Sequence, residues 1–232
     1  EGEVVLQNDL NDLNNNLNFN YRLLNENIFR YSTSLNEVHN FDFMLGHSVI
    51  YDKADGFSGS LQGFPSDAIQ EFNGGGVINP SVSGGASEEA WQSFFGRVNY
   101  NYNEKYLFEA NVRRDGSSKF GPTNRYGTFP SVSAGWNIGR EGFLAGSEVL
   151  ADLKLRASWG ISGNDRIGNY IYEQTYNTGL DYHLGVDGIV PAVALTSLAN
   201  PFITWETIEQ FDIGVDVALF ANKLNVTADY FK

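Results

Sequence analysis

Between Gly163 and Trp205 the chain carries Tyr170, Tyr172, Tyr176 and Tyr182 together with Asp165, Asp181 and Asp187. Flat phenol rings stack on sugar faces, and carboxylates accept sugar hydroxyls or meet the cations of a peptide. Tyr170, Tyr172, Tyr176, Asp181 and Tyr182 are therefore the expected ligand contacts. Tyrosines that pack the loop on itself or against a covering protein give the same pattern. Arg113-Arg114-Asp115, Lys119 and Arg125 put further charge at a rim, where pairing within the loop is expected. Asp52-x-x-Asp55-Gly56 lacks the ligand spacing of an EF-hand, so no metal is expected. His39, His47 and His183 are far apart, no HExxH or Gly-x-Ser-x-Gly occurs, and Gly74-Gly75-Gly76 reads as a turn. Asp212 and Asp216 are four strand residues apart, about 13 Å, too far for paired glycosidase carboxylates. Neither a catalytic group nor a cofactor is expected, and the chain is not read as an enzyme.

Side chains of this kind need a scaffold, and the composition says which. The 232 residues hold 17 Phe, 12 Tyr and 25 Gly against 6 Pro, with only 19% charged residues, a mixture that suits turn-rich β-structure and opposes disorder. A net charge of −13 opposes phosphate neutralisation, so nucleic acid is not an expected partner. With no cysteine there is no disulfide framework, Cys-ligated zinc or thiol nucleophile. No run of 18 apolar residues exists to form a membrane helix, a test that is blind to membrane strands.

Period-two alternation supplies the elements. Leu17, Phe19, Tyr21 and Leu23 alternate with Asn16, Asn18, Asn20 and Arg22, and the pattern recurs over 28–35, 41–51, 94–102, 106–113, 131–138, 153–161, 210–219 and 224–230. Nine strands and no substantial helix are expected. Short joins at Asn36–His39, Asn103–Lys105, Gly139–Leu150 and Ala221–Lys223 alternate with long ones at Asp52–Glu89, Arg114–Thr128 and Gly163–Trp205. In an up-and-down antiparallel sheet this gives one trimmed end and one end with large loops, as in membrane β-barrels. A soluble carbohydrate-binding β-sandwich would show the same alternation, its apolar face packed inward. Against it, the residues opposite the apolar set are Asn, Ser, Gly and Arg rather than Lys and Glu, which suits a hydrated lumen. On the barrel reading Phe108, Val112, Leu153, Leu155, Trp159, Phe211, Ile213, Val215, Val217 and Leu219 face lipid, and Tyr102, Tyr106, Trp136, Phe220 and Tyr230 suit an interfacial girdle.

Five stretches, RVNYNYNEKY (97–106), RRDGSSKFG (113–121), NRYGTFPSVSAGW (124–136), KLRASWGISGN (154–164) and NPFITWETIEQFDIGVDVALFANKLNVTADYF (200–231), resemble the SusC/RagA family of TonB-dependent outer-membrane transporters. GFSGSLQGFPSDAIQEFN (56–73) resembles the loop before the first of them. The resemblance implies a 22-stranded barrel in the outer membrane of a Gram-negative bacterium, closed by a plug and covered by a SusD-like surface lipoprotein. It further implies import of glycans or peptides, driven by the TonB complex. Measured against that family, residues 1–232 are expected to be a central slice of barrel wall. The signal peptide, N-terminal extension, TonB box, plug and terminal strand of that family are expected to lie outside these residues. Nine strands are too few to close so wide a barrel, so the first and last are expected to be open edges.

Overall fold

The computed structural model describes residues 11–66, 68–75, 78–144, 147, 149–185 and 188–232. Among the described residues ten strands are present: β1 Asn11–Leu35, β2 His39–Phe64, β3 Ile78–Tyr102, β4 Tyr106–Ser117, β5 Tyr126–Asn137, β6 Leu150–Asn164, β7 Thr175–Leu184, β8 Gly188–Ser197, β9 Glu206–Leu219 and β10 Leu224–Phe231. Eight form one sheet in the order β1-β2-β3-β4-β5-β6-β9-β10, and β7 pairs with β8 in a separate ribbon. Every pairing from β3 onward is antiparallel. Among the described residues no helix is long and apolar enough to cross a membrane, which has no bearing on strands.

Three expectations change. Residues 16–23 and 28–35 are not two strands but parts of β1, so the sheet has eight strands rather than nine. Asn25 and Asn27, between those two segments, satisfy one another on one strand face, with Nδ2 of Asn27 donating to Oδ1 of Asn25 at 2.7 Å. The expected loop 52–89 is largely strand, because β2 runs on to Phe64 and β3 begins at Ile78. Join lengths also fail to alternate strictly: residues 138–149 between β5 and β6 outnumber residues 118–125 between β4 and β5.

The chain divides into two compact units, Glu1–Leu23 with Tyr51–Glu89 and Leu24–Ile50 with Ala90–Lys232. In the first, Arg22 donates to both carboxylate oxygens of Asp52 at 2.6 and 2.5 Å, and Lys53 pairs with Asp55 and Glu88. Phe64 is buried there, its ring occupying the space a side chain on Gly75 would need.

In the second unit the hairpin turns are tight. Asn36-Glu37 and Asn103-Glu104 all have φ between 48° and 60°, and Val38 N–H and Lys105 N–H close their turns onto Leu35 and Tyr102 carbonyls. Two successive left-handed residues give the type I′ geometry whose twist matches that of the strands. Neighbouring turns are laced by backbone hydrogen bonds, Asn103 to Val38, Asn137 to Lys105 and Phe220 to Val149. A sandwich would need a second sheet over Phe211 and Ile213. The other sheet among the described residues is the β7–β8 ribbon, and those two side chains remain 40% and 48% exposed.

Candidate functional site

Directly paired residues on adjacent strands share a face, so the register sorts the side chains of the second unit into rows. Tyr102, Tyr106, Trp136, Leu155, Val215 and Ala228 form one row, and Tyr100, Phe108, Ala134, Ala157, Ile213 and Tyr230 another. Val98, Ala110, Val132, Trp159 and Phe211 form a third. All ten residues expected to face lipid, including Val112, Leu153, Val217 and Leu219, lie on this apolar face, and Phe108, Val112, Leu155, Phe211 and Ile213 are its most exposed members among the ten.

The alternate rows are polar. Asn99, Glu109, Ser133, Ser158 and Asp212 stand in register across five strands. With Lys154, Arg156, Asn101 and Gly135 they line a cavity of about 760 Å³. Arg156, one of its lining residues, donates to Asp216 at 2.8 Å through Nε and to Asp229 at 2.7 Å through Nη2, with Asp212 4.0 Å away. Thr227 adds a hydrogen bond to Asp216 at 3.0 Å. Spacing alone put Asp212 and Asp216 on one face but missed the arginine between them and Asp229, which only the β6–β9–β10 register brings together. Among the described residues no cluster of histidines and carboxylates could hold a metal ion.

The short-turn end of the apolar face carries an aromatic row. Tyr102, Tyr106 and Trp136 stack with ring centroids 6.1 and 6.2 Å apart. Glu141, which sequence reasoning did not single out, accepts from Lys105 Nζ at 2.9 Å, Tyr106 O–H at 2.8 Å and Trp136 Nε1 at 3.2 Å. The Lys105 ammonium, followed by the Tyr106 and Trp136 donors, holds the Glu141 carboxyl below its ordinary range, and Glu141 raises Lys105.

At the opposite end the motif residues make a small core. Phe120 is fully buried and tilts against Trp205 at 5.0 Å, and Phe129 meets the same indole at 5.3 Å. The Trp205 Nε1 donates to the Arg125 carbonyl, and Asn124 reaches the carbonyl of Ile203. Gly127 and Gly163 leave room for the Phe129 ring. Trp91 donates to Asp165 at 2.6 Å, fastening the near foot of the loop that carries β7 and β8. RRDGSSKFG and NRYGTFPS thus anchor the loop bases.

The expected ligand contacts are not brought together as one set. Tyr172 packs against Gly121 near that core, and burial pushes its phenol up. Tyr170 lies in the preceding turn with φ 61°. Tyr176 and Tyr182 are 57% and 60% exposed on the ribbon. Pairing puts Tyr176 opposite Leu195 and Asp181 opposite Pro191, on one face, whereas Tyr182 pairs with Val190 on the other. The irregular register between Asn177 and Leu180 produces this split, which simple alternation does not anticipate. Asp187 lies outside the described residues.

Comparison with known proteins agrees with this geometry. The family described as TonB dependent receptor-like, beta-barrel matches residues 4–232. TonB-dependent receptor P39 of Formosa agariphila is 36% identical over 215 residues, 91% of this chain and 20% of its own. TonB-dependent receptor SusC of Bacteroides thetaiotaomicron is 33% identical over 213 residues, 90% of this chain and 21% of its own. A solved structure of the RagAB peptide transporter superposes with a TM-score of 0.85 at 28% identity, covering 96% of this chain and 24% of that one. The chain thus spans about a fifth of the length of the curated relatives it matches. The chain belongs to the TonB-dependent receptor β-barrel family, in its SusC/RagA branch.

Proposed function

We propose that these residues are a stretch of barrel wall in an outer-membrane transporter that imports glycans or peptides. A SusD-like lipoprotein covers its mouth and the TonB complex drives it. The observation that carries the reading is the apolar face, whose rows stay uncovered across β3 to β10 while the opposite rows are polar. In water such a face would drive aggregation; in a bilayer it is the required surface. Its height supports the assignment. On β5 the face runs from Trp136 at one end to Tyr126 at the other, ten residues away. Ten strand residues rise about 33 Å, and at a tilt near 45° they cover about 23 Å of depth, close to the apolar band of about 25 Å in outer-membrane barrels. The polar face then lines the lumen, and the ribbon and its tyrosines belong to the extracellular side, where substrate and lid meet the protein. Tyr170, Tyr172, Tyr176, Asp181 and Tyr182 stay in the proposal as contacts of either.

Val215→Arg tests it. An arginine at mid-strand on the lipid face costs about 2–4 kcal/mol of membrane folding. The expected result in the full-length protein is loss of the heat-modifiable barrel band on gels, while Ser158→Arg on the lumen face keeps it. Equal tolerance of both substitutions would contradict the proposal.

A further inference from the structure

Adjacent strand residues point to opposite faces, so Arg113 and Arg114 part company. Arg113 lies on the polar face, where it donates to Asp115 at 2.7 Å and to Ser93 at 2.9 Å. Arg114 lies on the apolar face two residues beyond Val112, at the long-loop end of the apolar rows. It is exposed, and among the described residues no carboxylate pairs with it. Its guanidinium instead sits over the Tyr126 ring, 5.3 Å from the centroid.

That ring is held in place by its neighbours. Tyr126 lies across Gly116, where a β-carbon would come 2.5 Å from the ring. Its O–H donates to Oε1 of Gln92 at 2.7 Å, and Nε2 of Gln92 meets Nε2 of His47 at 3.1 Å. His47 in turn packs on Phe94 with centroids 4.7 Å apart. The result is a line of polar groups across β2, β3, β4 and β5, with one uncompensated cation held at the upper edge of the apolar face. The contrast with the short-turn end is chemical. There Lys105 and Arg140 are both neutralised, by Glu141 and Glu104.

We propose that Arg114, stacked on Tyr126 and flanked by the Gln92–His47 pair, binds a phosphate of the phosphorylated glycolipid in the outer leaflet. A guanidinium donates two parallel hydrogen bonds to a phosphate, and stacking pre-orders it at little entropic cost. A cation at the level of the headgroups also gains from the anionic surface of the leaflet. This inference rests on the membrane reading above, because only that reading puts the apolar face in lipid.

The test uses the full-length transporter with its lid lipoprotein in phosphatidylcholine nanodiscs doped with lipid A or with lipid A stripped of its phosphates. Native mass spectrometry then counts retained glycolipid. The expected result is a preference of about tenfold for the phosphorylated form in the wild type. Arg114→Ala and Arg114→Gln lose that preference, and Arg140→Ala, the same charge change at the other end, keeps it. Millimolar inorganic phosphate leaves the retained glycolipid in place, since the bilayer holds the headgroup at the site; its displacement would assign the site to free phosphate and overturn the proposal. Equal retention of both lipids by the wild type, or an undiminished preference in both Arg114 variants, would also overturn it. Failure of the wild type to enter nanodiscs as a folded barrel would instead contradict the membrane reading.

Discussion

The guanidinium of Arg156 lies across Gly214, so that a β-carbon on that glycine would stand 2.7 Å from Cζ of the arginine. Gly214 is buried beneath it, and this arrangement lets one cation reach Asp216 and Asp229 at once. Gly214→Ala is therefore expected to displace Arg156 and Asp229 and to cost about 1–3 kcal/mol as an overpacked site. The matched control is Gly135→Ala, whose β-carbon would meet nothing closer than 3.5 Å. Urea midpoints of the two variants in detergent check the difference.

The core formed by Phe120, Phe129 and Trp205 is expected to hold the base of the loop over 165–205. Phe120→Ala removes the one large apolar side chain in the described chain with no exposure, at a cost of about 3–5 kcal/mol. Limited proteolysis reads the outcome as faster cleavage within the loop, with the barrel strands still protected.

Glu141 gives a pH dependence with a definite sign. Its carboxyl is held low by Lys105 first, then by Tyr106 and Trp136, so its contribution is present above the ordinary carboxylate range. As the pH falls through the lowered value, protonation removes the ion pair with Lys105 and weakens the bonds from Tyr106 and Trp136, and that contribution is lost. Wild-type stability is expected to decline on the acid side, and Glu141→Gln to flatten that limb. Thermal melts as a function of pH follow it, with Trp136 fluorescence as the local report.

How much of this the residues announce can be traced element by element. Where one strand face is apolar and the other polar, as in Phe211 to Leu219, alternation gave the strand and its facing. Where both faces are small or polar, it did not: GFSGSLQGF continues β2 because neighbouring strands pair with its backbone, a cause that leaves no period in the side chains. The ribbon β7–β8 was missed for a related reason, since Ile189 to Leu195 is apolar on both faces and reads as a run rather than a strand. Of the site, the two faces of the wall were legible, but the Arg156 cluster and the Glu141 contacts were not. The first joins residues 60 and 73 positions apart through the β6–β9–β10 register, and the second folds the turn after β5 back onto Lys105 and Tyr106, 36 and 35 positions earlier.

On the proposed reading one face of the sheet meets lipid and the other meets water, and β9 offers the sharpest check. The chain contains no cysteine, so single cysteines at positions 210 to 213 and 215 to 217 report one site each within this segment once any elsewhere in the full-length protein are replaced. Spin labels on them, in the full-length protein in bilayers, are relaxed by oxygen where they face lipid and by a water-soluble nickel chelate where they face the lumen. A period of two is expected, with 211, 213, 215 and 217 in the oxygen-accessible phase and 210, 212 and 216 in the chelate-accessible phase. Uniform access to the chelate along the strand, or the opposite phase, would contradict it.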